Sequence, residues 1–175
     1  MGTPAQDVES KAELAAFRDS LAKLGWVEGN TIHIDYCYPD NPDQYPRLAK
    51  ELIALHPEVI FAQSTPAAAV LQRETRTTPI VFVNVSDPIG SGFVSSLARP
   101  GGNLTGVIAY EPGITGKWLA MLKEIAPRLT RADLVANPKT TAYDYFLRNA
   151  KAAAALLDIE VVSNPINALP ISNRQ

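Results

Sequence analysis

The sequence predicts an α/β protein built on a doubly wound parallel sheet, and two observations predict it. The first is one junction written three times: a short apolar run, a polar residue, a proline, then a helical pattern. It reads VIFAQ before Ser64-Thr65-Pro66, IVFVNV before Ser86-Asp87-Pro88, and LVA before Asn137-Pro138. Such short runs of β-branched and aromatic residues suit strands buried on both faces. A polar N-cap followed by proline suits the start of a helix. The second is their order, β-α-β-α-β-α-β-α, which right-handed crossovers turn into a parallel sheet.

Residues 9–24 show helical periodicity, with Leu14, Phe17, Leu21 and Leu24 on one face and Gly25 directly after it. Gly29-Asn30 marks a turn, and Thr31 to Tyr36 alternates as a strand. After the loop Pro39 to Pro42, a second amphipathic helix runs from about Asp43 to Leu55 and stops before Pro57. Strand 59–63, helix 66–75, strand 79–85 and a short helix near 90–98 follow. Arg99-Pro100-Gly101-Gly102-Asn103 is the strongest break, ahead of a strand-like Leu104 to Tyr110 and the loop Glu111-Pro112-Gly113. Helix 115–126, strand 132–136, helix 140–157 and strand 159–163 complete the pattern. Asp133 is an unusual resident for a buried parallel strand. The first helix has no strand before it and the last strand no helix after it, so the chain reads as cut at both ends.

Composition narrows the function. Of 175 residues, 46% are hydrophobic and 19% charged, a globular balance rather than a disordered one. The net charge of −2, without a basic cluster, lacks the footprint of a nucleic-acid binder. Cys37 is the only cysteine, which excludes an internal disulfide and a cysteine-based zinc site. No run approaches a membrane-spanning length, and the N-terminal residues do not read as a signal peptide.

Three strands ending at one sheet edge, each handing over to a helix N-terminus, would form an anion-receptive rim. Ser64 and Thr65 offer hydroxyl and backbone donors there, although Thr65 could serve only as an N-cap. Ser86 and Asp87 end the next strand; Asp87 could accept from a ligand ammonium or hydroxyl, or cap the following helix. Asn137 and Tyr143 follow the third strand, and Tyr143 could supply an aromatic wall. His33 and His56 stand apart from any acidic or cysteine cluster, so no metal is expected, and the Gly101-Gly102 turn does not follow a strand as a dinucleotide loop does. No cofactor is expected. No Gly-x-Ser-x-Gly elbow or Walker loop is present, so the strand ends offer a binder's rim rather than catalytic machinery.

The segments FRDSLAKLGWVEGNTIHIDY, PRLAKELIALHPEVIFAQSTPAA, TPIVFVNVSDPIGSGFVSSLARPGGNLTGV and GKWLAMLKEIAP together resemble one bacterial family. It is the ABC-transporter substrate-binding proteins related to the tryptophan/tyrosine-binding type, with a type I periplasmic-binding fold. The resemblance implies a first ligand-binding lobe over 1–103, a hinge crossing over 104–113 and a partial second lobe over 114–175. It implies a small carboxylate-bearing ligand, an amino acid or aromatic amino-acid-like compound, held between the lobes. Ser64 and Thr65 would hold the anionic group and Asp87 the cationic or hydroxyl group, with Asn137 and Tyr143 closing from the other lobe. An ABC permease would be the partner, and the location periplasmic or membrane-anchored outside the cytoplasm. Two rivals stand beside this reading: a non-transporting remnant, and a small α/β enzyme acting on an anionic metabolite. A second copy of the chain, forming a homo-dimer, could cover an edge left open by a missing first strand.

Overall fold

The computed structural model describes residues 8–111, 113–139 and 141–166. Pro112, Thr140 and residues 167–175 lie outside the described residues. Three strands, β1 (Ile60–Gln63), β2 (Ile80–Val85) and β3 (Leu104–Ile108), pair in parallel in that order. Ile60, Ile80 and Leu104 stand in register across them, and all three are buried. This row is the floor of the larger core. Helices α2 (Tyr45–Ala54) and α3 (Thr65–Glu74) cover it with Tyr45, Ala49, Leu52, Ala67, Ala68 and Leu71. The alanines let α3 lie close to the sheet. Gly106 is required opposite Phe82, because a Cβ there would stand 2.7 Å from the Phe82 ring edge.

Helix α1 (Val8–Lys23) packs on the other side of β1, with the Phe17 and Phe61 ring centroids 4.7 Å apart. Alternation along β1 explains this: Ile60 and Ala62 are buried toward the core, so Phe61 faces the opposite way. Leu14, Phe17 and Leu21 are half-buried as the periodicity requires, whereas Leu24 lies past the helix end and is exposed.

The strand expected over Thr31 to Tyr36 does not form. One isolated bridge joins Glu28 to Ile32, and residues 33–39 run extended without a ladder. A strand needs a neighbour about 4.8 Å away, and among the described residues no strand pairs with this segment. It is held by side chains instead. Arg18 donates to the Tyr36 hydroxyl at 2.8 Å and pairs with Glu28 at 2.7 Å, which ties α1 to the segment. Between the segment, α1 and β1 lies a mainly apolar groove of about 520 Å³.

The second sheet pairs β4 (Arg131–Ala136) with β5 (Glu160–Pro165) in parallel. Helices α4 (Ile114–Ile125) and α5 (Tyr143–Ala154) cover one face around Leu119, Ala150, Ala154 and Ile159. Asp133 fits this arrangement because it points to the exposed face, with Arg131 beside it at 3.9 Å. Leu104–Ile108 pair with β2 as the third strand of the first sheet, and the chain runs on from Ile108 to α4. Tyr110 then meets Trp118 of α4 and Phe146 of α5 edge-on, at 5.7 and 5.9 Å.

Candidate functional site

The three strand-to-helix junctions prove unlike one another. At the first, Ser64 is the N-cap of α3, and its Oγ accepts from the Ala67 N–H at 3.5 Å. The helix begins at Thr65 with Pro66 second, so Thr65 is not the cap. Ser64 adopts φ 97° and ψ 153°, a conformation almost confined to glycine. Thr65 turns its Oγ1 to the neighbouring strand end, accepting from the Ser86 N–H at 3.2 Å.

At the second junction no helix follows. Gly90, Gly92 and the serines after them yield a turn, where the sequence suggested a helix near 90–98. Asp87 organises this turn: its Oδ1 accepts from the Gly90 N–H at 2.9 Å, and its carbonyl accepts from the Ser91 N–H at 2.9 Å. Gly90 must be glycine, since a Cβ there would stand 2.7 Å from the Asp87 carboxyl carbon. Just before the junction the β2–β3 register shifts, and Asn84 takes a positive φ of 55°.

At the third junction the helix starts late. Asn137 Oδ1 accepts from the Lys139 N–H at 2.9 Å and its carbonyl from the Thr141 N–H at 3.0 Å, which winds a loop ahead of α5. The expected rim of three helix N-termini is therefore one helix N-terminus, one carboxylate-capped turn and one loop.

Ser64, Thr65, Ser86 and Asp87 come together at the carboxyl ends of β1 and β2. Two ion pairs then reach across to the second sheet's elements: Arg148 of α5 to Asp87 Oδ2 at 3.4 Å, and Lys139 to Asp43 at 3.2 Å. Tyr143 does not join them. It is only 6% exposed, and its hydroxyl meets the Leu134 carbonyl at 3.2 Å and Ser163 Oγ at 2.8 Å. It locks α5 onto β4 and β5. An exposed aromatic patch stands instead at Tyr110 and Trp118, 45% and 41% exposed, both against Phe146, with Tyr145 beside Phe146. Burial raises the Tyr145 phenol above its ordinary range, and the Asp87 charge adds to this. Arg148 and Tyr145 escaped the sequence reading because polar residues on a helix face ordinarily read as solvated. The strain at Ser64 has no signature in sequence.

The site holds hydrogen-bond donors, one carboxylate, one guanidinium and an aromatic patch. Among the described residues no group of three or more His, Cys, Asp or Glu could hold a metal ion, and no helix is long and apolar enough to cross a membrane. His33 lies apart from this site, beside Asp35 at 3.2 Å on the extended segment.

Residues 7–170 match the model of the family described as ABC transporter substrate binding protein. A tyrosine-binding protein of Clostridioides difficile (strain R20291) is 29% identical over 135 residues, 77% of this chain and 37% of that protein. A solved conserved domain protein from Vibrio cholerae O1 biovar El Tor superposes with a TM-score of 0.84 at 28% identity. An ABC domain from Streptococcus pneumoniae, solved in complex with L-Trp, gives 0.83 at 21% identity. Both alignments cover 95% of this chain and 56% of the other. The chain thus spans about half the length of those structures and little more than a third of the curated relative. It belongs to the ABC transporter substrate-binding protein family, and its fold is that of the periplasmic-binding-protein structures it superposes on.

Proposed function

We propose that this member of the ABC transporter substrate-binding protein family is the solute-binding component of an import system. Its ligand is a small carboxylate-bearing molecule, an amino acid or aromatic amino-acid-like compound, held between two lobes. The first lobe runs to about residue 103, the crossing spans 104–113 and carries strand β3, and the second lobe begins at α4. The observation that carries the reading is Asp87, a carboxylate 18% exposed at the end of β2 that pairs with Arg148 of α5, the helix that also carries Tyr145 and Phe146. Carboxylate, hydroxyls and rings converging at strand ends make a binding site for a polar aromatic solute.

Each group has a task its geometry permits. Ser64 Oγ and Thr65 Oγ1 both accept backbone N–H bonds, which leaves each hydroxyl proton for an acceptor such as a ligand carboxylate. The α3 N-terminus adds its dipole to that side. Ser86 stands between them and Asp87, whose Oδ2 reaches Arg148 while its Oδ1 caps the turn. Asn137 holds the loop that brings Lys139 to Asp43. Binding closes the lobes about the 104–113 crossing, and the closed form is what an ABC permease outside the cytoplasm would engage. The protein turns nothing over and needs no cofactor.

Thermal unfolding against a panel of amino acids, small carboxylates and sugars tests this reading. One ligand class should raise the transition, by about 2.7 kcal/mol of stability at one hundred times its dissociation constant. Thr65→Ala and Asp87→Ala should abolish the rise. A cooperative transition that no compound moves would refute it.

A further inference from the structure

We propose that Arg148 is a specificity-determining residue of this site: its guanidinium joins the Ser64 and Thr65 hydroxyls in receiving the ligand's carboxylate, and with Asp87 it selects ligands that carry both charges. The inference rests on the binding reading above. Arg148 stands in the second turn of α5, one turn after Tyr145 and on the same helix face. Its side chain is 68% exposed, and its Nη2 lies 3.4 Å from Asp87 Oδ2. A tight charge-assisted bond between such groups measures about 2.7–2.9 Å. The pair is therefore loose: it balances charge across the cleft without the geometry of a committed bidentate clamp.

Asp87 has divided its two oxygens. Oδ1 is fixed by the Gly90 N–H and Oδ2 faces Arg148. An ammonium entering at Oδ2 replaces the guanidinium as counter-charge, and the released guanidinium presents a planar fork that fits a carboxylate bidentately. One loose pair becomes two closer ones. Each of the two pairs that reach across is neutral, Arg148 with Asp87 and Lys139 with Asp43. A ligand with only a carboxylate brings its charge up to Asp87 unbalanced, and a ligand with only an ammonium leaves Arg148 without its partner. A zwitterion satisfies both. Tyr145, whose ring meets Phe146 at 5.3 Å, directs the remainder of the ligand toward the aromatic patch.

Isothermal titration of the full chain with L-tryptophan, tryptamine and indole-3-propionate separates these charges. The wild type should bind tryptophan tightest. Arg148→Gln should weaken tryptophan and indole-3-propionate by roughly tenfold to a hundredfold, the range for a hydrogen bond to a charged group, and leave tryptamine unchanged or tighter. Arg148→Lys should fall between, since an ammonium cannot form the fork. Equal loss for all three ligands, or no loss for any, would overturn the role of Arg148 while leaving binding intact. Failure of the wild type to bind any of the three would overturn the binding reading itself, and the role of Arg148 with it.

Discussion

Replacing Ser64 with glycine should stabilise the protein, although it removes a helix cap. Ser64 sits at φ 97° and ψ 153°, where a side chain costs about 1–3 kcal/mol and glycine nothing. Against this, the cap bond from Ala67 N–H to Ser64 Oγ is long at 3.5 Å, and glycine in place of a serine cap loses only about a few tenths of a kcal/mol. Glycine also gives the unfolded chain more freedom, at a cost of about 0.5–1 kcal/mol. The balance favours Ser64→Gly by about 1 kcal/mol, or roughly 2–4 °C in Tm for a chain of this size. Ser64→Ala keeps the strain and loses the cap, so it should destabilise by about 0.5–2 kcal/mol. The two variants then move in opposite directions. Both should weaken ligand binding, because both lack the hydroxyl. Thermal and urea unfolding followed by circular dichroism, each with and without ligand, reads all of this. A glycine variant that melts at or below the alanine variant would refute the strain argument.

Gly106→Ala should cost about 1–3 kcal/mol in urea unfolding, since its Cβ would meet the Phe82 backbone and ring edge; an unchanged midpoint would mean that β2 and β3 are less closely packed than described. Tyr143→Phe removes hydroxyl contacts to Leu134 and Ser163 and should cost about 1 kcal/mol of stability. Its ligand affinity should match the wild type, as expected of a residue interior to the second sheet's layer. The Tyr145 phenol, raised first by burial and then by the Asp87 charge, should titrate at lower pH in Asp87→Asn, followed by carbon-13 tyrosine NMR. Because its folded pKa is raised, the associated stability is complete below the ordinary phenol pKa and declines as pH rises through the folded value.

The parallel strands and most helices were legible in the sequence because short runs rich in β-branched residues mark strands and amphipathic helices leave a period. β1, β2, β4, α2, α3 and α4 fall within a residue or two of expectation. Pairing is not local, so the alternating Thr31 to Tyr36 segment carried a strand's pattern without a ladder to join. The shared junction motif concealed three outcomes, because glycines after Pro88 and side-chain turns after Asn137 decide whether proline starts a helix. Ser64, Thr65, Ser86 and Asp87 were legible as strand-end polar residues. Arg148 and the aromatic patch were not, since their meaning depends on which face of α5 meets the other lobe.

The central claim is that ligand lies between the two sheets at the strand ends, and chemical-shift mapping of nitrogen-15-labelled protein tests it most directly. With the ligand that raises the unfolding transition, amides of Ser64 to Ala67, Ser86 to Gly90 and Tyr145 to Arg148 should shift together in slow or intermediate exchange. Shifts confined instead to the groove lined by Ile32 to Tyr38 and Phe61 would place the ligand elsewhere and contradict the account.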